Sequence, residues 1–80
     1  MNVVITGGTG FIGSHLCDYL IKQGNTVYCI DNNYSGNIGN IKHLIDNTNF
    51  TFIEENIIHF DIAYFNSIKI DQIYHLACPA

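Results

Sequence analysis

Charge is scarce in this sequence. Charged residues make up 12% of its 80 residues, and Lys22, Lys42 and Lys69 are the only basic ones, arginine being absent. The net charge is -4. Three lysines spread over the chain make no basic patch, which argues against nucleic acid as a partner. Long apolar runs are missing as well, so no stretch reaches membrane-spanning length and no membrane partner is expected. Cysteine is sparse and odd in number: Cys17, Cys29 and Cys78. Their wide spacing fits buried thiols in a reducing, cytoplasmic compartment better than a disulfide framework or a zinc site. The single proline, Pro79, leaves the body of the chain free of that breaker.

What is present is apolar. Hydrophobic residues account for 48% of the chain. That is too much for a disordered segment, and the charge is low for a free-standing domain. A doubly wound nucleotide-binding domain usually needs more than about a hundred residues. The chain also stops at "LACPA" without a following helix. Truncation is therefore expected. The start runs straight into a strand, so no signal peptide is expected.

The hydrophobic period changes along the chain. Val3, Val4 and Ile5 form a short β-branched run ending in Thr6 and glycines, the pattern of a buried strand. From Phe11 the spacing turns helical, with Ile12, Leu16 and Leu20 on one stripe and Cys17 and Ile21 beside it. Gly24 stands where a helix stop belongs. "TVYCI", residues 26–30, is a second strand ending at Asp31. A polar connection, "DNNYSGNIGN", leads to a short helix with Ile41, Leu44 and Ile45, which Asn40 can cap. "NFTFIEE" is a third strand. Ile62, Phe65 and Ile68 predict a short helix over 61–68. "QIYHLA", residues 72–77, is a fourth strand that Pro79 would stop. Strands alternating with helices specify an α/β fold with a parallel sheet. Right-handed crossovers give the Rossmann-type strand order 3-2-1-4, the first half of a doubly wound domain.

"TGGTGFIG", residues 6–13, lies between the first strand and the first helix. It can be read as G-x-G-x-x-G on Gly8, Gly10 and Gly13, or as G-x-x-G-x-x-G on Gly7, Gly10 and Gly13. In that context such a loop cradles a pyrophosphate. Early glycines allow the tight turn, Gly10 lets a phosphate approach the backbone, and Gly13 lets the helix pack closely on the sheet. The helix N-terminus presents N–H groups and its positive dipole end. Asp31 follows Gly10 by 21 positions (31 − 10). An acid at about 20 positions is placed to accept from the adenosine ribose hydroxyls. It would also repel a 2′-phosphate, which favours NAD over NADP; FAD is a minor alternative. A P-loop is excluded, because no Lys-Ser or Lys-Thr follows Gly13. The bland alternative is a plain strand-helix turn with Asp31 as a loop cap.

These residues resemble a known family. "TGGTGFIG" is similar to the cofactor loop of extended short-chain dehydrogenases/reductases of the NAD-dependent epimerase/dehydratase family, which act on nucleotide sugars. "IDNNYSG" at 30–36 and "QIYHLACPA" at 72–80 resemble segments of the UDP-glucuronate decarboxylases. The resemblance implies that Gly7 and Gly13 shape the loop and that Gly10, Phe11 and Ile12 meet the pyrophosphate through the backbone. It implies that Asp31 holds the ribose and that Asn32, Tyr34 and Ser35 line the adenosine side. Asn56 and Ile57 would stand near the adenine. Leu76 and Ala77 would lie beside the cofactor, and Cys78, Pro79 and Ala80 would begin a loop toward nicotinamide and sugar. Asn56 stands where the family usually has Asp, and its side-chain oxygen can still accept the adenine amino group. Asn37 replaces a common cation.

Those enzymes use a Tyr-x-x-x-Lys pair. The Tyr takes a proton from the sugar 4-hydroxyl as hydride passes to NAD, the 4-keto acid loses carboxylate, and the hydride returns. None of Tyr19, Tyr28, Tyr34, Tyr64 and Tyr74 has Lys four positions on. The resemblance therefore implies that residues 1–80 are the N-terminal part of a single NAD-binding domain. The substrate domain and the catalytic pair would lie elsewhere, and the chain alone would be inactive. The family is typically homodimeric through helices that this chain does not include. A 4-epimerase, a 4,6-dehydratase and a non-catalytic dinucleotide-binding module remain as alternatives.

Other reactive side chains have plain explanations. His75 is expected in the sheet with its ring nitrogens bonded, and His15 on the exposed or helix-packing side of the first helix. His15, His43 and His59 share no metal-ligand spacing. Nothing beside Cys78 would lower its pKa. Glu54 and Glu55 are adjacent on a strand and point to opposite faces, so they form no carboxylate pair. Phe50, Phe52, Phe60 and Phe65 are expected to pack rather than stack on bases.

Overall fold

A computed structural model describes residues 1–7, 10–32, 38–55 and 61–76. Its strands are β1 (Asn2–Thr6), β2 (Thr26–Asp31), β3 (Phe50–Glu54) and β4 (Gln72–His75), with one α-helix, α1 (Phe11–Lys22). All pairings are parallel and the order is β3-β2-β1-β4. This is the Rossmann-like order expected from the sequence.

Successive strand residues point to opposite faces, so β1, β2 and β3 each feed two cores. Val3, Ile5, Val27 and Cys29 pack with Cys17 and Leu20 of α1 and with Ile41, Leu44 and Phe50. Val4 and Ile30 face the other way and pack with Phe65. Tyr28 meets Phe65 edge to face, with centroids 5.4 Å apart. The aromatic residues Phe50 and Phe65 are thus core residues, as expected, and Phe52 packs against the first cluster. Phe60 lies outside the described residues.

The helical stripe differs from the expected one in one residue. Ile12 is 71% exposed, while Gly13, Ser14, Cys17 and Leu20 are buried. Ile12 sits in the first turn, at the sheet's C-terminal edge and outside both core clusters formed by the described residues. The helix stops at Gly24, whose φ is 86°. The N–H of Asn25 donates to Leu20 O at 3.1 Å and that of Gly24 to Ile21 O at 3.0 Å. This is the Schellman arrangement, which needs a left-handed residue where Gly24 stands.

The two shorter helices are tighter than expected. The region of Ile41 to Ile45 holds a 3₁₀ turn, Lys42–Leu44, whose N-cap is Ile41 and not Asn40. Asn40 instead ends a preceding 3₁₀ turn, Ile38–Asn40. The 61–68 helix reduces to the 3₁₀ turn Ile62–Phe65, capped by Asp61 Oδ1 accepting from Ala63 N at 2.9 Å. Few apolar positions at helical spacing leave too little buried surface to offset helix nucleation, so single turns form instead. β4 ends at His75, short of the expected Ala77, which lies outside the described residues. Its start is tied to β1, where Asp71 N donates to Asn2 O and Asn2 N to Asp71 Oδ2, both at 2.8 Å. Among the described residues no helix is long and apolar enough to cross a membrane.

Cys17 and Cys29 are free, fully buried and packed between α1 and β2. A hydrogen bond to Cys29, with burial second, pushes the Cys17 thiol above its ordinary value of 9.0. The neutral thiol is thus favoured by folding. That stability is complete below the ordinary value of 9.0 and is lost progressively as pH rises above it toward the folded pKa. Cys17 and Cys29 should resist alkylation in the native chain and react fully in urea, as peptide mapping would report. Rapid native labelling at Cys17 would contradict this packing.

Candidate functional site

Because the strands are parallel, their C-terminal ends share one edge. Thr6 and Gly7 leave β1 there, Asp31 and Asn32 end β2, Glu54 and Glu55 end β3, and His75 and Leu76 end β4. The strand order reverses between β1 and β4, the crevice where ligands of such sheets bind.

The loop is built by backbone. Gly7 has φ 80°, a conformation that L side chains rarely adopt. Its N–H donates to Ile30 O at 2.9 Å, and its carbonyl accepts from Gly10 N at 3.3 Å. Gly10 is the N-cap of α1, with φ -72° and ψ 172° and no side-chain cap. That backbone suits any residue. Among the described residues, a Cβ built there would meet only Gly7 O, at an ordinary contact distance of 3.6 Å, so none of them demands glycine at this position.

Phe11 and Ile12 open the helix with side chains 76% and 71% exposed. N–H groups of a first helical turn have no partner within the helix. Ser14 closes the first intrahelical bond, from its N–H to Gly10 O at 2.9 Å. Gly13 is buried in the first turn of α1.

Asp31 is 9% exposed and stands in register with Glu54 across β2 and β3. Its carbonyl accepts from Glu55 N at 3.1 Å. Two acids in register make this end of the edge negative, and Asn32 is exposed beside them. Glu54 and Glu55 are exposed residues at the end of β3.

The structure thus gathers Gly7, Gly10, Phe11, Ile12, Gly13, Asp31, Asn32 and Leu76 at one edge of the sheet. Tyr34, Ser35, Asn56, Ile57 and Ala77 lie outside the described residues, as do Cys78, Pro79 and Ala80. His75 is a partial correction. Its ring is bonded, with Nδ1 2.7 Å from Thr6 Oγ1, but it is exposed rather than packed in the sheet. Edge strand β4 has no neighbour beyond it among the described residues, which leaves the ring at the surface. Sequence reasoning passed over Thr6 as a site residue. Its position immediately before the glycines was the available signal. His15 is exposed and stacks edge-on against Phe11, with centroids 4.6 Å apart. Among the described residues no group of three metal-ligating side chains occurs.

Known proteins resemble this chain in sequence and in fold. UDP-glucuronic acid decarboxylase 2 of Arabidopsis thaliana is 44% identical over 80 residues, which is all of this chain and 17% of that protein. UDP-glucuronic acid decarboxylase 1 of Danio rerio is 44% identical over 78 residues, or 98% of this chain and 18% of that protein. The chain therefore spans less than a fifth of these relatives. A solved UDP-glucuronic acid 4-epimerase from Bacillus cereus, in complex with NAD, superposes with a TM-score of 0.86 at 39% identity. It covers all of this chain and 28% of its own. The dTDP-glucose 4,6-dehydratase of Bacillus anthracis, also in complex with NAD, gives 0.88 at 28% identity, covering 99% of this chain and 27% of its own. The GDP-mannose 4,6 dehydratase family model matches residues 4–80. The chain belongs to that family, among the nucleotide-sugar epimerases and dehydratases.

Proposed function

We propose that this chain is the NAD-binding portion of a nucleotide-sugar enzyme, most closely a UDP-glucuronate decarboxylase that forms UDP-xylose through a 4-keto intermediate. The observation that carries the cofactor reading is Gly10. Its backbone and the described residues around it would accept a side chain, and a glycine there suits something outside the chain that approaches closely. A pyrophosphate at the head of α1 fits, because the first-turn N–H groups and the helix dipole favour an anion there. Asp31 would accept from the adenosine ribose, and Glu54 in register with it adds to the repulsion of a 2′-phosphate. NAD, when bound, supplies a reversible hydride acceptor.

Roles for Tyr34, Ser35, Asn56, Ile57 and Ala77 belong to this proposal, as does a substrate domain carrying the Tyr-x-x-x-Lys pair. The decarboxylase branch is supported by identity to decarboxylases along the whole chain. A 4-epimerase is the second reading, supported by the 39% identity to the Bacillus cereus enzyme.

The test is calorimetric titration. NAD should bind the chain, NADP should bind more weakly, and Asp31→Ala should weaken NAD by about tenfold to a hundredfold, the loss of hydrogen bonds to a charged acceptor. A folded chain giving no heat, or binding that Asp31→Ala leaves intact, would remove the reading. The branch is decided separately by supplying UDP-glucuronate to the protein that carries the Tyr-x-x-x-Lys pair. Release of carbon dioxide means decarboxylase, and conversion to the 4-epimer means epimerase.

A further inference from the structure

Thr6 and His75 are the last residues of β1 and β4, and they face each other in register. The backbone joins them through Leu76 N, which donates to Thr6 O at 2.9 Å. The side chains join them again, Thr6 Oγ1 lying 2.7 Å from His75 Nδ1 across 69 positions of sequence. Thr6 is 3% exposed. A hydroxyl so buried has to be hydrogen-bonded, and His75 supplies a partner from the surface side.

The place of this bond matters more than its existence. Thr6 immediately precedes Gly7, whose carbonyl receives the Gly10 N–H at the head of α1. A rotation of Thr6 would therefore move Gly7 and the N-cap together. We propose that His75 is a positioning residue for the dinucleotide loop: through the Thr6 hydroxyl it fixes where the chain leaves β1 and hence where Gly10 sits. The assignment deepens the NAD-binding reading and rests on it.

Side-chain geometry provides the test. The terminal atoms of Asn stand where His Nδ1 stands, whereas those of Gln reach the position of Nε2. His75→Asn should keep the bond to Thr6, while His75→Gln and His75→Phe should lose it. The NAD dissociation constant should rise about tenfold in His75→Phe and His75→Gln, as expected for one lost hydrogen bond, and at least as much in Thr6→Val. It should stay within about threefold of wild type in His75→Asn, and Thr6→Val with His75→Phe should be no worse than Thr6→Val alone. A residue that only filled space would tolerate Phe or Gln at least as well as Asn.

Amide exchange by NMR, without NAD, supplies an independent reading. Gly7 and Gly10 should exchange about tenfold faster in His75→Phe but not in His75→Asn. Phe binding NAD like wild type, Asn failing like Phe, or additive double-variant losses would overturn the proposal. If the wild-type chain bound no NAD, the cofactor reading would fall. The exchange rates would then still decide the coupling: unchanged rates at Gly7 and Gly10 refute it, and accelerated rates uphold His75 as the residue that sets the loop.

Discussion

Gly10→Val should raise the NAD dissociation constant more than about a hundredfold while the chain stays folded. Two glycines that a sequence motif treats alike serve different ends. Gly7 is glycine for the backbone: at φ 80° a Cβ is strained wherever it points, a cost of about 1–2 kcal/mol. Gly10 sits at φ -72° and ψ 172°, with a single ordinary contact from the described residues awaiting a Cβ. Placing Val there exchanges one uncapped N-cap for a poorer one, roughly 1 kcal/mol of helix stability. The larger penalty falls on the ligand, because two methyl groups would occupy the approach that a pyrophosphate needs. Gly7→Ala should therefore lower the urea midpoint, while Gly10→Val should mainly remove the calorimetric signal. Wild-type affinity in Gly10→Val would end the case for a pyrophosphate at this helix. Unfolding by Gly10→Val would mean that the glycine serves the fold.

Much of this was legible in the residues, and the physical reason is local. Four runs of β-branched and aromatic residues, each bounded by turn-formers, locate the strands because a buried parallel strand needs an unbroken apolar run. The 12-residue helix was legible from its spacing and from Gly24, which its C-terminal hydrogen bonds require. The 3₁₀ turns were not. Ile41, Leu44, Ile62 and Phe65 show the same spacing over a single turn as over three, so periodicity cannot measure length. Ile12 departs from its helical stripe for a related reason. A helical stripe predicts which side faces the sheet but not where the sheet ends, and Ile12 lies beyond that end. The loop and Asp31 were readable as a site because their chemistry depends on spacing along the chain. The Thr6–His75 bond joins residues far apart in sequence and rests on the register of β1 with β4, which no local pattern encodes.

Ile5→Ala should cost about 2–5 kcal/mol of stability, the range for truncating a fully buried Ile. Ile5 is fully buried in the central strand, in register with Cys29 on β2 and Tyr74 on β4. Its side chain lies in the cluster that holds α1 to the sheet. Neighbours on both sides are fixed by ladder hydrogen bonds, so they cannot collapse into the space, and the loss should fall in the upper part of that range. A chain of 80 residues has a total stability of roughly 4–12 kcal/mol, so the substitution would consume much of it. Ile73→Ala is the matched control: the same residue type on the same sheet, but 63% exposed on edge strand β4. It should change stability by no more than about 0.5 kcal/mol. Urea unfolding followed by circular dichroism measures both. Equal losses at Ile5 and Ile73 would contradict the described burial, for they would mean that β4 is covered as fully as β1. A large loss at Ile5 alone would locate the stability in the β1–α1 layer. That layer also carries Thr6, Gly7 and Gly10, so a loop that must hold its shape around a pyrophosphate is anchored on the least yielding part of the sheet.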